Sequence, residues 1–268
     1  MIKLSDRLQV IADEIKPGET VADIGTDHGL LPIFLYESGR SGGIILCDIN
    51  RGPLDKARNN IALYLGEGAL GDGGELRGLE LRLGDGLKPL DSGEVDTVVI
   101  AGMGGILMTE ILGENPVHSQ SFSKLILQPR NGSHKLRWWL AHNGFRITAE
   151  HLVVERKYIC EVMTVQPQRF AEPDDGVAVG LPQAAVPLPE EISDDTLDWE
   201  ISPLLFDGPD PLLIPFIENK IRIEEKVVGF VSEGSEEGTE HQRIAEANRR
   251  LAALRAKLEL ARQRTGTM

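Results

Sequence analysis

Residues 21–35, VADIGTDHGLLPIFL, place two carboxylates and two glycines in one short turn between an apolar run and a helical pattern. Gly25 and Gly29 would let a ligand approach the main chain closely, at a position where open parallel sheets bind ligands. A dinucleotide fingerprint at such a turn has three glycines and no acids, because it must accept a pyrophosphate. Here Asp23 and Asp27 would repel a phosphate by about 4 kcal/mol at roughly 4 Å and an effective dielectric constant of about 20. The turn therefore favours a ligand that is neutral or cationic at this point.

Two further acids follow apolar runs of the strand type. Asp48 ends the run GGIILCD, where a carboxylate is well placed to bind both hydroxyls of a ribose. Asp85 follows RLG in LRLGDGL, where an aspartate commonly accepts a hydrogen bond from an adenine amino group. Each acid taken alone fits a helix cap equally well, but acids on three successive strand ends favour a nucleoside ligand without a phosphate. S-adenosyl-L-methionine, which carries an ammonium and a sulfonium group, fits these requirements.

Apolar runs alternate with helical patterns as far as about residue 166. The strand candidates are nearly all apolar, as expected for strands covered by helices on both faces, and they span 20–24, 43–47, 79–83, 95–100 and 124–128. The helix candidates follow an opening amphipathic helix and span 30–38, 52–64, 104–113 and 133–143. Two further strands are predicted to form a hairpin across Glu155-Arg156-Lys157. The pattern predicts an α/β fold with a Rossmann-like, seven-stranded, mostly parallel sheet.

Composition limits the class of protein. The chain has 268 residues, 41% of them hydrophobic, and no apolar stretch of about 18 residues, so no membrane span is expected. Its first residues form an amphipathic helix pattern rather than a secretory signal. Cys47 and Cys160 are interpreted as core thiols, which predicts a cytoplasmic protein. The histidines share no helical ligand spacing with a carboxylate, so no metal is expected.

The formal net charge of −14 is distributed unevenly. Residues 167–212 hold eleven acids, one base and eight of the fifteen prolines, which predicts an acidic, proline-rich connector. The last 28 residues carry seven Lys or Arg against two Glu. The sequence thus predicts a cofactor-binding catalytic domain over 1–166, the connector over 167–212, and a helical hairpin over 213–268.

The predicted hairpin has a regular apolar seam. Its second helix repeats apolar residues at the 3-4 spacing of a coiled coil, namely Ile244, Ala247, Leu251, Leu254, Leu258 and Ala261. The basic residues lie off this seam. They allow two interpretations, a solvated face of a bracing or dimerising hairpin or an arm that grips RNA, and both a monomer and a homodimer stay open.

The motifs DIGTDHG, CDIN.GPL, RLGDGL and IAGMGG, followed by LQP.N, resemble the bacterial tRNA (adenine-22-N1)-methyltransferases, the TrmK family. Residues 1–166 carry the close resemblance, and ISPLLF with the helical hairpin is similar to that family's C-terminal part. The acidic insert around 168–198 is a departure from the family pattern. The resemblance implies S-adenosyl-L-methionine as cofactor, tRNA as partner, and methyl transfer to N1 of adenine 22.

The predicted cofactor contacts lie on the strand ends and the turns that follow them. They are Asp23, Gly25, Thr26, Asp27, His28, Gly29, Asp48, Ile49, Gly84, Asp85, Gly86, Ala101, Gly102, Met103 and Gly104. Many amino methyltransferases carry Asn/Asp-Pro-Pro-aromatic in the slot of the last four. Small residues here favour a cofactor wall with room for a flipped base, and a tight turn that needs glycine for packing is the alternative.

Methyl transfer to N1 depends more on the alignment of the reactants than on acid–base groups. N1 of adenine carries a lone pair near neutral pH, so alignment of the reactants is the main requirement. The product purine is cationic, and Asp27 or the Gln128 side-chain oxygen is the candidate catalytic acceptor beside its exocyclic amine. An extruded adenine is expected to stack on an aromatic or guanidinium plane. The candidate substrate contacts are Arg7, Arg130, Asn131, Arg137 and Trp138.

Two other functions compete with this prediction. One is a methyltransferase that acts on a small molecule or a protein, which would have little use for the basic final helix. The other is a non-catalytic adaptor with a vestigial cofactor site, from which decay should have removed some of the acids. Nucleoside analysis of tRNA after methyl transfer separates all three.

Overall fold

Parallel strands carry the candidate site in the computed structural model, which describes residues 2–70, 78–168, 185–189, 197–231 and 237–266. Within these residues the strands are β1 (Val21–Ile24), β2 (Gly43–Asp48), β3 (Gly78–Leu83), β4 (Thr97–Met103), β5 (Lys124–Pro129), β6 (Phe145–Glu155) and β7 (Tyr158–Pro167). They form one seven-stranded sheet in the order β3-β2-β1-β4-β5-β7-β6. Strand β7 pairs antiparallel with both β5 and β6, and the other pairs are parallel. The predicted Rossmann-like sheet with a terminal hairpin is confirmed.

Helices fill the connections between the strands. Among the described residues they are α1 (Asp6–Asp13), α2 (Leu30–Glu37), α3 (Arg51–Leu65), α4 (Gly105–Gly113), α5 (Pro116–Ser119), α6 (Ser133–His142), α7 (Leu213–Val231) and α8 (Glu237–Gly266). Short 3₁₀ turns lie at Glu67–Ala69 and Pro203–Phe206. The bounds predicted for the four helices at 30–38, 52–64, 104–113 and 133–143 agree with these or differ by one residue, as is usual for helix termini that fray.

The strands are apolar because both of their faces are buried. Val99 and Ile126 belong to a buried cluster that also contains Ile11 of α1, Ile33 of α2 and Ile61 of α3. Their chain neighbours point to the opposite face, and these are fully buried as well, namely Val98, Ile100, Leu125 and Leu127. Period-2 alternation is therefore absent from the sequence, and a continuous apolar run takes its place.

Helix α1 is fastened to the sheet by a polar cluster at its C-terminal end. Glu14 accepts hydrogen bonds from His151 Nε2 at 2.7 Å and Thr164 Oγ1 at 2.6 Å. The ammonium of Lys124, at the start of β5, donates to the Glu14 carbonyl at 2.7 Å and to Glu19 Oε2 at 2.5 Å. This cluster fixes the helix that carries Arg7.

The described part of the chain divides into two compact units, Met1–Gly132 with Trp139–Val186, and Ser133–Trp138 with Pro187–Met268. The boundaries predicted at 166/167 and 212/213 stay predictions. Much of the predicted connector, namely 169–184 and 190–196, lies outside the described residues. No helix among the described residues has the length and apolarity that a membrane crossing requires.

The second unit contains the predicted helical hairpin. Arg262 pairs with Glu218, Arg255 with Glu225, and Arg250 with Glu224, so α8 runs antiparallel to α7. The seam positions of α8 whose side chains are buried are Ala247, Leu251, Leu254, Leu258 and Ala261. The helical hairpin is confirmed, and its coiled-coil geometry stays a prediction.

Candidate active site

The candidate site lies where the strand order reverses. Strand β1 pairs with β2 on one side and with β4 on the other, all parallel. The connections after β1 and β4 leave the sheet in opposite directions, which opens a crevice at the carboxyl ends of these two strands. The turns DIGTDHG and AGMGG follow those two strands directly. Sequence motifs about 75 residues apart thus meet at one crevice.

Gly25 is where these two turns come closest. Its φ is +76°, and a Cβ atom built there would lie 2.2 Å from the Met103 Cε atom. Its amide and that of Thr26 donate to the Cys47 carbonyl at 2.8 and 3.1 Å, which ties the turn to β2. The backbone conformation therefore favours a glycine here, and a side chain at this position would also displace the terminal methyl group of Met103.

Gly29 ends the same turn for a different reason. It precedes α2 with φ of +65°, and a Cβ atom would lie 3.2 Å from both Ala57 Cβ and Leu46 Cδ2. Asn60 of α3 donates to the His28 carbonyl at 2.9 Å. This glycine allows α2 and α3 to pack closely and holds the turn open at the crevice.

Asp23 forms the inner wall of the crevice. The residue is 9% exposed. Burial raises the pKa of its carboxyl, the Thr26 hydroxyl and the Arg7 guanidinium partly offset this, and Asp48 adds to it, so that the pKa is about 6. The Thr26 Oγ1 atom is buried and makes no geometrically good hydrogen bond with any described residue. A ligand cation at this point would stabilise the charged carboxylate and supply a partner for polar atoms that lack one.

Asp48 and two apolar side chains form the next part of the edge. The Asp48 Oδ1 atom accepts a hydrogen bond from the Asn50 amide at 2.8 Å, and the Asp48 carbonyl accepts one from the Gly84 amide at 3.0 Å. Ile49 and Leu83, at the ends of adjacent strands, are 62% and 49% exposed. A carboxylate beside two exposed apolar side chains suits a ribose and a flat purine. Leu83 was not among the predicted contacts. Its apolar side chain at a strand end was the signal that could have indicated it.

Asp85, which was expected to bind an adenine amino group, forms an ion pair in the structure. Its Oδ2 atom lies 2.9 Å from Lys88 Nζ, which also pairs with Glu114 at 2.9 Å. All three side chains are about half exposed. Gly86 follows with φ of +54° against Ile111. Lys88 was not predicted as part of this edge, although the three-residue spacing from Asp85 was a visible signal.

Asp27 and His28 lie at the exposed end of the turn. The side chains are 66% and 50% exposed, and His28 Nε2 is 3.2 Å from Asp27 Oδ2. Lys56 of α3 lies 3.5 Å from the other Asp27 oxygen. Asp27 is therefore an accessible acceptor near the crevice, with the Lys56 ammonium on one side.

The AGMGG turn packs against the turn that follows β5. The Arg130 amide donates to the Met103 carbonyl at 2.7 Å, and the Gly105 amide donates to the Asn131 carbonyl at 2.9 Å. A Cβ atom at Gly104 would lie 3.2 Å from Asn131 Oδ1. The small residues Ala101, Gly102 and Gly104 thus leave room for two exposed side chains, Arg130 and Asn131, at the same edge.

Gln128 does not offer the acceptor that was expected of it. It is 2% exposed, and its Oε1 atom already accepts a hydrogen bond from Arg7 Nη1 at 3.0 Å. Its Nε2 atom donates to the Pro129 carbonyl at 2.9 Å. Strands β1 and β5 are also separated by β4, which places the two strands about 10 Å apart across the sheet. The role predicted for Gln128 is corrected from catalytic acceptor to partner of Arg7.

The role predicted for Arg137, a contact to tRNA, is also corrected. It is 1% exposed and donates to the carbonyls of Trp199 and Glu200 at 3.0 and 3.3 Å within the second unit. A guanidinium in the interior does not suit a tRNA phosphate contact. Trp138 is half-buried, while Leu136, Trp139 and Leu140 are buried as the helical spacing predicted.

Within the described residues, no group of three or more His, Cys, Asp or Glu could hold a metal ion. Cys47 is buried, and burial raises the pKa of its thiol to about 12. The carboxylates, the hydroxyl and the apolar side chains at the crevice instead suit an organic cation that also carries a diol and a purine. The residues therefore fit S-adenosyl-L-methionine: a buried carboxylate, a buried hydroxyl, a strand-end carboxylate, and an exposed apolar pair.

Comparison with known proteins agrees with this geometry. Residues 4–163 match a methyltransferase-domain family. A Bacillus subtilis relative, the tRNA (adenine(22)-N(1))-methyltransferase, is 31% identical over 178 residues, which are 66% of this chain and 71% of that protein.

Two solved structures share the fold of nearly the whole chain. The crystal structure of the B. subtilis m1A22 tRNA methyltransferase TrmK covers 96% of this chain and 100% of that one, with a TM-score of 0.73 and 24% identity. Streptococcus pneumoniae Sp1610 in complex with S-adenosyl-L-methionine covers 93% and 100%, with a TM-score of 0.67 and 26% identity.

Proposed function

This chain belongs to the tRNA (adenine(22)-N(1))-methyltransferase family, and we propose from that membership and from its crevice that it transfers the methyl group of S-adenosyl-L-methionine to N1 of adenine 22 in tRNA. The observation that carries the proposal is the acidic turn at the strand-order reversal, where a buried carboxylate, Asp23, precedes Gly25. A negative charge at this point favours a cation over a diphosphate.

The cofactor would be held along the edge from β1 to β3. Asp23 would face its cationic amino-acid end, Asp48 its ribose hydroxyls, and Ile49 its purine. Asp85 would accept from the adenine amino group once Lys88 turns away. The other proposed contacts lie in the same turns, namely Gly25, Thr26, Asp27, His28, Gly29, Gly84, Gly86, Ala101, Gly102, Met103 and Gly104.

The bound cofactor supplies an electrophilic methyl group on a positively charged sulfur. The protein's task is to hold N1 of the adenine in line with that methyl carbon, and such alignment can lower the barrier by about 7–11 kcal/mol. N1 needs no general base, because its lone pair is available near neutral pH. We assign Asp27, the accessible carboxylate, to accept a hydrogen bond from the exocyclic amine as positive charge develops on the ring.

Contacts to tRNA are proposed at the turn after β5. Arg130 and Asn131 are exposed there, beside the small residues Ala101, Gly102 and Gly104 that would leave room for an extruded base. Arg130 provides a guanidinium plane for stacking or a cation for a phosphate. Trp138 stays a candidate stacking surface.

The basic residues of α8 divide into two groups. Arg250, Arg255 and Arg262 form ion pairs inside the hairpin, and Arg264 donates to the Phe206 carbonyl. These contacts brace the two helices. Arg249 and Lys257 are not assigned an ion pair among the described residues, and we propose them as phosphate contacts. A monomer or homodimer, and a cytoplasmic location, stay predictions.

Methyl transfer to bulk tRNA tests the proposal. The full chain is incubated with radiolabelled S-adenosyl-L-methionine and tRNA, and the digested tRNA is separated into nucleosides. We expect label in 1-methyladenosine. An absence of labelled tRNA despite cofactor binding, or label in small molecules or protein instead, contradicts the proposal.

A further inference from the structure

The tip of the β6–β7 hairpin carries two cations and an aromatic ring. Strand β6 ends at Glu155 and β7 begins at Tyr158, so Arg156 and Lys157 form a two-residue turn between them. Both cations are exposed, and Tyr158 is 57% exposed. The Lys157 ammonium lies 5.3 Å from the centre of the Tyr158 ring. Neither cation forms an ion pair with a residue that the structure describes.

The hairpin tip projects beyond the carboxyl edge of the parallel strands. Strand β7 is antiparallel to β5 and pairs with it as far as Met163, which lies opposite Leu127. From Met163 the strand leads five residues back to its start at Tyr158, whereas β5 continues only two residues past Leu127. At about 3.3 Å per residue, the tip extends roughly 10 Å beyond the end of β5.

The tip also lies on the side of the sheet where the crevice opens. Strand β7 is two positions from β4 in the sheet order, which is about 10 Å. Arg7 connects the two places, because its Nε atom is 3.8 Å from Glu155 Oε1 and its Nη1 atom donates to Gln128 of β5. A molecule with one nucleotide in the crevice would therefore bring neighbouring nucleotides to the tip.

The turn has an arginine where a glycine is usual. Within the described residues, Arg156 is the only residue other than glycine with a positive φ, which is +57°. Two-residue hairpin turns need a positive φ at this position and generally take Gly, Asn or Asp there. A left-handed conformation is less favourable for an arginine than for a glycine. An arginine at such a position indicates that its side chain has a use outside the hairpin.

We propose that the hairpin tip is a tRNA-binding surface. Arg156 and Lys157 contact phosphates beside adenine 22, and the Tyr158 ring stacks on a base next to it. This inference rests on the proposed function and adds to it a surface that lies apart from the turn after β5.

The composition of the tip favours RNA as its partner. Exposed cations contact phosphates whatever the base sequence, and exposed aromatic rings stack on unpaired bases. An adenine that leaves its stack for methylation exposes the faces of its neighbours. Anionic membrane surfaces, in contrast, are bound by clusters of about four to eight Lys or Arg, and the tip has two.

Arg156→Gly separates the use of the side chain from its effect on folding. Glycine suits the positive φ, so the urea midpoint should rise or stay the same. The affinity for tRNA should nevertheless fall, because a phosphate contact is lost. A variant that only damaged the fold would lower both quantities, and urea unfolding with filter binding measures them.

A double variant tests the charge of the tip. Arg156→Gly with Lys157→Gln should weaken tRNA binding by roughly tenfold and reduce the slope of log affinity against log salt by about 1 to 2 units. The matched control is Arg146→Gln, because Arg146 is also exposed and lies at the opposite end of the same hairpin. It should change neither quantity.

Two substitutions of Tyr158 test the stacking. Tyr158→Leu keeps an apolar side chain and should weaken tRNA binding by roughly 5- to 100-fold, as expected for one lost base contact. Tyr158→Trp keeps an aromatic face and should retain the affinity. Calorimetry of S-adenosyl-L-homocysteine should give the same cofactor affinity in every variant of the tip.

Several results would overturn the assignment. Unchanged tRNA affinity in the double variant is one, and an equal loss in Arg146→Gln is another. A third is sedimentation with phosphatidylserine vesicles that requires Arg156 and Lys157 while tRNA affinity does not.

The test of the tip is separable from the test of the proposed function. A chain whose tRNA binding depends on the tip as described, but which labels no adenine, contradicts the function and supports the surface. A chain that forms 1-methyladenosine while its tip variants bind tRNA as tightly as the wild type contradicts the surface alone.

Discussion

At the scale of single residues, Gly25 is constrained by its backbone conformation and by its contact with Met103. The sequence indicated these two constraints only in part. The motif indicated a close approach of a ligand to the main chain, and the structure adds that Met103 occupies the place of a Cβ atom. Spacing within one turn cannot show a contact with a residue 78 positions later. The two constraints separate experimentally, because Gly39 shares the backbone conformation without the contact.

We expect Gly25→Ala and Gly39→Ala to lower the free energy of unfolding by about 1 kcal/mol each, since both positions have positive φ. Only Gly25→Ala should also weaken binding of S-adenosyl-L-homocysteine, by at least about tenfold, because its methyl group displaces Met103 into the crevice. Nothing lies within 4 Å of a Cβ atom at Gly39. Urea unfolding and calorimetry measure both quantities. Equal cofactor affinities in the two variants would contradict the account.

Asp23 predicts a pH dependence of cofactor affinity. Burial raises its pKa to about 6 in the unliganded chain, and the ammonium of the ligand is bound best by the ionised form. The affinity should therefore be constant above pH 7 and fall as pH decreases through 6, to about one tenth at pH 5. Calorimetry of S-adenosyl-L-homocysteine across this range measures it. Asp23→Asn should bind weakly and without this dependence, and a wild-type affinity that does not change with pH would exclude the role of Asp23.

The raised pKa of Asp23 also affects folding stability, and this pH dependence is opposite to that of cofactor affinity. The folded pKa of Asp23 lies above its unfolded value of 3.8. Between about pH 4 and 6 the folded chain therefore holds more protons, and this residue's contribution to stability falls as pH rises.

Residue-scale prediction succeeded where one local segment determines a position and failed where the partner is distant. Asp48 ends β2 and Asp23 is the last residue but one of β1, so their place near the sheet edge follows from the local pattern. Gln128 is buried against Arg7, 121 residues earlier. Arg137 donates to a carbonyl 62 residues later. No local sequence pattern indicates these two pairings, so the exposure and the roles of Gln128 and Arg137 could not be inferred.

At the scale of elements, the sheet was predictable because each strand is a short apolar run between helical patterns. Chain alternation fixes parallel pairing and handedness, and the ERK turn fixes the final hairpin. The attachment of α1 was not predictable, since it depends on Glu14, Lys124 and Thr164 in three distant segments. This attachment matters because α1 carries Arg7.

Removal of the Lys124 ammonium tests the attachment of α1. Lys124→Met leaves the Glu19 carboxylate and the Glu14 carbonyl without this partner, and such broken pairs cost about 3–5 kcal/mol when buried. We expect a loss toward the lower end of that range in urea unfolding, because Glu19 is 19% exposed. The matched control Lys88→Met removes an exposed ammonium and should cost less than about 1 kcal/mol. Similar losses in the two variants would contradict the role of the cluster.

At the scale of the whole molecule, the question is how a chain with net charge −14 binds a polyanion. The sequence indicated a basic final helix, but it could not show which cations are used within the hairpin. The structure assigns Arg255 and Arg262 to ion pairs with Glu225 and Glu218. Binding of tRNA then depends on local cations that are not paired in this way.

Two double variants separate the groups of cations on α8. Arg249→Gln with Lys257→Gln should weaken tRNA binding and reduce the slope of log affinity against log salt by roughly 1 to 2 units, as expected for two lost phosphate contacts. Arg255→Gln with Arg262→Gln removes the same charge and should have the smaller effect on tRNA affinity. Filter binding at several salt concentrations measures both. Unchanged tRNA affinity in the first variant would show that α8 only braces the hairpin.

The most direct measurement of the central claim is the position of the methyl group on tRNA. Unmodified tRNA transcripts with adenine or guanine at position 22 are incubated with the full chain and S-adenosyl-L-methionine, then mapped by primer extension and nucleoside analysis. We expect one 1-methyladenosine at position 22 of the first transcript and no methylation of the second. Equal methylation of both transcripts, or methyl transfer to another atom, would contradict the claim.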